Sequence, residues 1–211
     1  MPRSARIVIP GVAHHLTQRG NNKQDVFVDN EDREKYLDLL HCHSKLFRTR
    51  IVAYCIMSNH LHLVAIPHTE TSLADTASRT HQQYADYFNA KYLRSGHVWQ
   101  SRFFSCPMDL EHTVNAIAYA ELNPVRAHMV SDAWLYPWSS APAHIGGKGD
   151  RLLNLRRWFD RYSGEEWREA LGGLSKNTAA AEAVRRHTQK GQPLGRDAAF
   201  LKQVEIWRKG R

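Results

Sequence analysis

Two β-prone runs, residues 50–57 and 60–66, are separated by Ser58-Asn59 alone, and that spacing predicts a hairpin. Strand side chains alternate between faces. His60 and His62 therefore share one face, while Leu61 and Leu63 share the other. Residues 6–18 read as an extended start, Gly20-Asn21-Asn22 as a turn, and residues 98–108 as a further strand with aromatic content. Helical periodicity appears in Tyr36, Leu39, Leu40 and Leu46, behind Asn30 as an N-cap and acids in the first turn. A second helix is predicted from Thr71-Ser72-Leu73 to about Lys91, with Ser72 and Asp75 at capping-box spacing. A third spans 109–123 and is stopped by Asn123-Pro124. Strands and helices alternate without a Gly-rich phosphate loop. The short hairpin favours antiparallel pairing, so the fold class is α+β rather than doubly wound.

Beyond Arg126 the texture changes. Trp134, Pro137, Trp138, Pro142 and Gly146-Gly147-Lys148-Gly149 read as an irregular connection, followed by short helices over 164–171, 177–189 and 196–207. This part is rich in Arg and Lys, with Trp158, Phe159, Tyr162, Trp167 and Trp207 interleaved. Either the charges meet phosphates while the aromatics stack on bases, or the aromatics anchor the region on the core and the charges are a solvated face. There is no internal repeat and no low-complexity segment.

Composition narrows the class. A chain of 211 residues with 42% hydrophobic residues can bury a core of ordinary size. A formal net charge of +8 points to a polyanionic partner, most often nucleic acid. Cys42, Cys55 and Cys106 are odd in number and lack C-x-x-C spacing, which argues against a disulfide framework or a thiolate zinc site and fits a reducing cytoplasm. No signal-peptide pattern opens the sequence, and no run of 18 apolar residues suggests a membrane span.

The chemistry rests on two segments. Two imidazoles on one strand face are a ready pair of metal ligands, and unpartnered they would be costly in so apolar a strand. Tyr119 and Asn123 stand four apart on a predicted helix, hence on one face. A phenol is a poor nucleophile at its usual pKa, but becomes useful when a divalent cation polarises the target phosphate. Two neutral His plus an amide oxygen would leave Mg²⁺ or Mn²⁺ open positions for phosphate oxygens. Glu121 faces elsewhere on the helix and receives no role.

Met57-Ser58-Asn59-His60-Leu61-His62-Leu63 resembles the HUH motif of single-tyrosine transposases, and Tyr119 to Ala127 resembles their tyrosine helix. Further segments are similar to the branch called REP-associated tyrosine transposases: Thr17-Gln18-Arg19-Gly20-Asn21-Asn22, Gly96 to Phe103, Tyr136-Pro137-Trp138-Ser139-Ser140 and Gly191-Gln192-Pro193-Leu194-Gly195. The resemblance covers nearly the whole chain and departs at Ala120-Glu121, where relatives commonly carry Ile-His.

The resemblance implies a central antiparallel sheet of ferredoxin-like type with helices on one face. An HUH nuclease/transposase domain would occupy 1–130, and a basic helical C-terminal extension 131–211. It implies that His60 and His62 bind a divalent metal, Mg²⁺ or Mn²⁺, and that Asn123 takes the place of a third polar ligand, often Gln in relatives. Tyr119 would attack a phosphodiester in single-stranded DNA, giving a 5′-phosphotyrosine and a free 3′-OH. Imperfect hairpins of repetitive extragenic palindromes would be the targets. Arg19 and Arg102 lie in family-like motifs and are the candidate DNA contacts; Arg3-Ser4-Ala5-Arg6 is a candidate DNA-contacting arm. The extension resembles that of the branch acting as monomers, so a monomer is expected, with a dimer as the alternative. The expected setting is the bacterial cytoplasm, in association with the nucleoid. Two competing functions are a non-catalytic protein that binds structured nucleic acid and a phosphoesterase that uses activated water.

Overall fold

The computed structural model describes residues 6–147 and 149–210. Most of the proposed arm, Arg3 to Ala5, lies outside them. Four strands form one sheet in the order β2-β3-β1-β4: β1 Ala13–Arg19, β2 Thr49–Ile56, β3 His60–Pro67 and β4 Phe104–Met108. Every neighbouring pair is antiparallel. Helices α1 (Asn30–Leu46) and α2 (Ser72–Lys91) make the β1–α1–β2 and β3–α2–β4 crossovers. This α+β sheet is of ferredoxin-like type, as its sequence implied.

The strand alternation divides the core. Leu16, Ile51, Tyr54, Leu61, Leu63 and Ala65 face α1 and α2, where Tyr36, Leu40, Leu73, Tyr84 and Phe88 close over them. The opposite face carries Ala13, Ala53, Val64, Cys106 and Met108. Helices on one face alone is the expectation that changes. This second face is covered by α3 (Leu110–Glu121) together with α7 (Gly164–Ser175) and α8 (Thr178–Lys190), through Ala116, Ile117, Trp167, Leu171 and Val184. Short helices α4 (Asn123–Arg126), α5 (Ala141–His144) and α6 (Leu155–Phe159) link these parts, and α9 (Ala198–Lys209) packs Phe200 and Val204 on Ile9. Trp158 and Trp167 are buried in the core of the second face. They anchor the basic region; they do not stand free for base stacking.

Several boundaries move for local reasons. The N-cap of α1 is Asp29, not Asn30. Asp29 accepts from the Asp32 amide at 2.9 Å and Asp32 accepts from the Asp29 amide at 3.3 Å, a reciprocal box that Asn30 and Arg33 could not form. Ser72 is already inside α2. Its hydroxyl turns back to Thr69, accepting from that amide at 3.0 Å, so the box with Asp75 does not form. β1 begins only at Ala13, because Pro10 has no amide hydrogen and Gly11 turns the chain at φ +78°. The strand expected over 98–108 shortens to β4. Trp99 keeps a single bridge to Gly20, and the turn through residues 100–102 separates it from the sheet.

Chain from the C-terminal part also lies along both sheet edges. On β2, the Ile56 amide donates to Trp138 O at 2.9 Å and the Ser140 amide to Tyr54 O at 3.0 Å; on β4, the Leu194 amide donates to Pro107 O at 2.9 Å.

Candidate active site

Antiparallel register brings the chemistry together. Arg19 pairs with His60 and Thr17 with His62 across β1 and β3, and His15 lies one alternation further along the same face. Tyr119 comes down on this face from α3. That helix starts at Asp109, whose carboxylate accepts from the His112 amide, and ends where Leu122 passes the chain into the Pro124 turn of α4. A cavity of about 460 Å³ results, lined by His15, Thr17, Arg19, His60, His62, Gln100, Tyr119, Asn123, Arg185 and Thr188 among others. His60, His62, Tyr119, Asn123 and Arg19 thus meet in one place. Arg102 is exposed and does not line the cavity; it stands one residue beyond Ser101, which does.

The Tyr119 ring stands edge-on to His62 and His15, with ring centres 5.3 and 5.6 Å away. The Arg126 guanidinium lies 4.4 Å over the Tyr119 ring and donates to the Tyr119 carbonyl. The Tyr119 hydroxyl takes no hydrogen-bond partner among the described residues. Burial raises its pKa, opposed by the charges of Arg126 and Arg185.

Burial holds the imidazoles neutral. The His60 pKa falls to about 4, with Arg19 adding to the effect, and that of His15 falls to about 3, with Arg126 adding. The His62 pKa lies well below its usual value, through burial first and then the surrounding histidines and arginines. A neutral imidazole offers one lone pair to a cation. His60 Nδ1 lies 2.6 Å from Asn59 Oδ1, an atom fixed as the amide oxygen because Asn59 Nδ2 donates to Lys23 O. His60 Nε2 is therefore the bare nitrogen. His62 Nδ1 lies 3.0 Å from His15 Nε2, which leaves His62 Nε2 without a partner among the described residues. Asn123 Nδ2 donates to Tyr119 O at 2.9 Å and Ala120 O at 3.2 Å, and this leaves its Oδ1 unengaged.

Two imidazole nitrogens and one amide oxygen fit a divalent cation that keeps positions for phosphate or water. Among the described residues no group of three His, Cys, Asp or Glu side chains has metal-holding geometry. His15 in particular spends its Nε2 on His62. Arg19 and Arg185 line the cavity and Arg126 lies over the Tyr119 ring, none with a carboxylate in ion-pair range among the described residues, so their charge is open to a polyanion.

The sequence reading missed three participants. His15 carries no motif, although its alternation with Thr17 places it on the His62 face once β1 and β3 pair. Thr188 lies far along the chain. Glu121, given no role from the sequence, is fully buried and accepts from Ser140 Oγ at 2.5 Å, His144 Nδ1 at 2.6 Å and Trp167 Nε1 at 2.8 Å. It ties α3 to α5 and α7.

Among the described residues, no helix is long and apolar enough to cross a membrane. No curated protein sequence matches the chain significantly. A solved REP-associated tyrosine transposase bound to a REP hairpin is similar at TM-score 0.56 and 17% identity, covering 72% of this chain and 90% of that one. A transposase candidate from Deinococcus radiodurans is more distant, at TM-score 0.40 and 15% identity over 61% of this chain and 92% of that one, too loose to carry weight. The family model described as "Transposase IS200 like" matches residues 9–122, more than half of the chain and every strand of the sheet. The chain therefore belongs to the IS200-like transposase family.

Proposed function

We propose that the chain is a metal-dependent endonuclease and strand transferase acting on single-stranded DNA through Tyr119. The observation that carries this reading is the Tyr119 ring lying edge-on to His62 at 5.3 Å, on a cavity that also holds His60 and Asn123. The Tyr119 oxygen attacks phosphorus and the P–O3′ bond breaks. The 5′ end stays on the protein as phosphotyrosine, the phenolic proton passes to water, and the 3′ oxygen leaves as a hydroxyl after taking a proton from water. Because the ester conserves the bond energy, a 3′-OH can reverse the step and rejoin strands. His60 and His62 through Nε2, and Asn123 through Oδ1, would hold Mg²⁺ or Mn²⁺, which when bound draws charge from phosphate oxygens.

Arg19, Arg126 and Arg185 hold the DNA backbone at the cavity, and Arg102 contacts it further out. The structural neighbour bound to a REP hairpin supports imperfect hairpins of single-stranded DNA as the target. The resemblance of the basic C-terminal extension to that of the branch acting as monomers supports a monomer, with a dimer as the alternative. The test is incubation with a single-stranded hairpin and Mn²⁺, followed by a denaturing gel. Wild type gives a protein–DNA adduct and Tyr119→Phe gives none while still binding the hairpin; equal capture by Tyr119→Phe sinks the reading. Cleavage that survives Tyr119→Phe without an adduct indicates activated water instead, and binding without cleavage by wild type in Mn²⁺ indicates a non-catalytic binder.

A further inference from the structure

Behind His62 runs a file of hydrogen bonds whose direction is set at its far end. The Val184 carbonyl in α8 can only accept. Thr188 Oγ1 lies 2.8 Å from it and so donates its proton there. The same oxygen faces His15 Nδ1 at 2.7 Å and must accept, which puts the His15 hydrogen on Nδ1. His15 Nε2 is then bare, and at 3.0 Å it accepts from His62 Nδ1. His62 is left with its lone pair on Nε2. Cys106 Sγ, 3.3 Å from Thr188 Oγ1, can donate to the second lone pair of that hydroxyl without reversing the file.

We propose that Thr188 is a positioning residue: through His15 it holds His62 as the Nδ1–H tautomer, so that Nε2 faces the cavity bare before any cation arrives. The opposite tautomer would set two lone pairs against each other at the His15–His62 contact. The functional meaning rests on His62 being a metal ligand; the tautomer itself does not. Thr188 lies beyond the segment matched by the family model, residues 9–122, so the C-terminal extension supplies part of the order within the site.

The experiment reads long-range ¹⁵N–¹H correlations of ¹⁵N-histidine in the metal-free full chain near neutral pH. Wild type is expected to have both His15 and His62 as Nδ1–H tautomers. Thr188→Val, nearly the same in shape, should give mixed tautomers at both, and Thr188→Ser should restore them. Mn²⁺ binding, followed by electron paramagnetic resonance, should weaken about tenfold in Thr188→Val. An Nε2–H His62 in wild type overturns the proposal without any variant, as does an unchanged tautomer in folded Thr188→Val. A pinned tautomer in wild type that binds no Mn²⁺ upholds the hydrogen-bond file and overturns the ligand reading.

Discussion

Tyr119 and Glu121 sit two residues apart on α3 and meet opposite surroundings. Tyr119 opens on a cavity that Arg19 and Arg185 line, and its hydroxyl is left unengaged among the described residues. Glu121 turns into the molecule, and both of its oxygens are held by Ser140, His144 and Trp167. A buried carboxylate persists only with such partners, since its desolvation is otherwise too costly. One helix thus serves two ends. Its satisfied polar group fixes the position of the helix, and its unsatisfied one faces a site that an incoming phosphate could complete.

Substitutions at the two positions should separate these roles. Tyr119→Phe should lower covalent DNA capture by more than about 10³-fold while changing unfolding free energy by less than about 0.5 kcal/mol. A large loss of stability would mean that Tyr119 is a packing residue. Glu121→Ala should do the reverse, costing about 3–5 kcal/mol in urea unfolding because three buried donors lose their acceptor. A cost under about 1 kcal/mol would show that water replaces the carboxylate.

Acid should weaken the folded state through other histidines. Burial lowers His14 to about 4 and His81 to about 3. The unfolded chain, with ordinary values near 6.5, therefore binds protons first as pH falls. Stability from these groups is present in full above about pH 6.5 and declines as pH falls toward 4. Urea midpoints that stay flat across that window would contradict it. The smallest effect should come from Arg185→Ala, which removes one phosphate contact: the slope of log affinity for single-stranded DNA against log salt should shrink by about 0.7, with the melting temperature unmoved.

What could be read from the sequence was local. Alternation in His60-Leu61-His62-Leu63 gives the strand faces, and Ser58-Asn59 gives the hairpin. Helix periodicity places Tyr119 and Asn123 on one side. The rest is long-range. His15 bonds to Thr188 across 173 residues, and Glu121 gathers partners from α5, from Ser140 just ahead of it and from α7; neither pairing has a period. The basic aromatic tail allowed two readings because composition cannot tell an anchoring tryptophan from one open to bases. The packing of Trp158 and Trp167 against α3 and the sheet makes these two anchors, while Phe159 stays exposed.

The segments lying along the sheet have a consequence for the chain in a crowded cell. Exposed strand edges are templates for pairing with another copy, and a chain made in many copies must blunt them. Here β2 is met by Trp138 and Ser140, and β4 by Leu194, through main-chain hydrogen bonds. A second molecule seeking to extend the sheet would first have to strip away chain that is also rooted in the core. Protection against edge-to-edge aggregation is therefore tied to the integrity of the C-terminal part, and variants that loosen it should precipitate before they unfold completely.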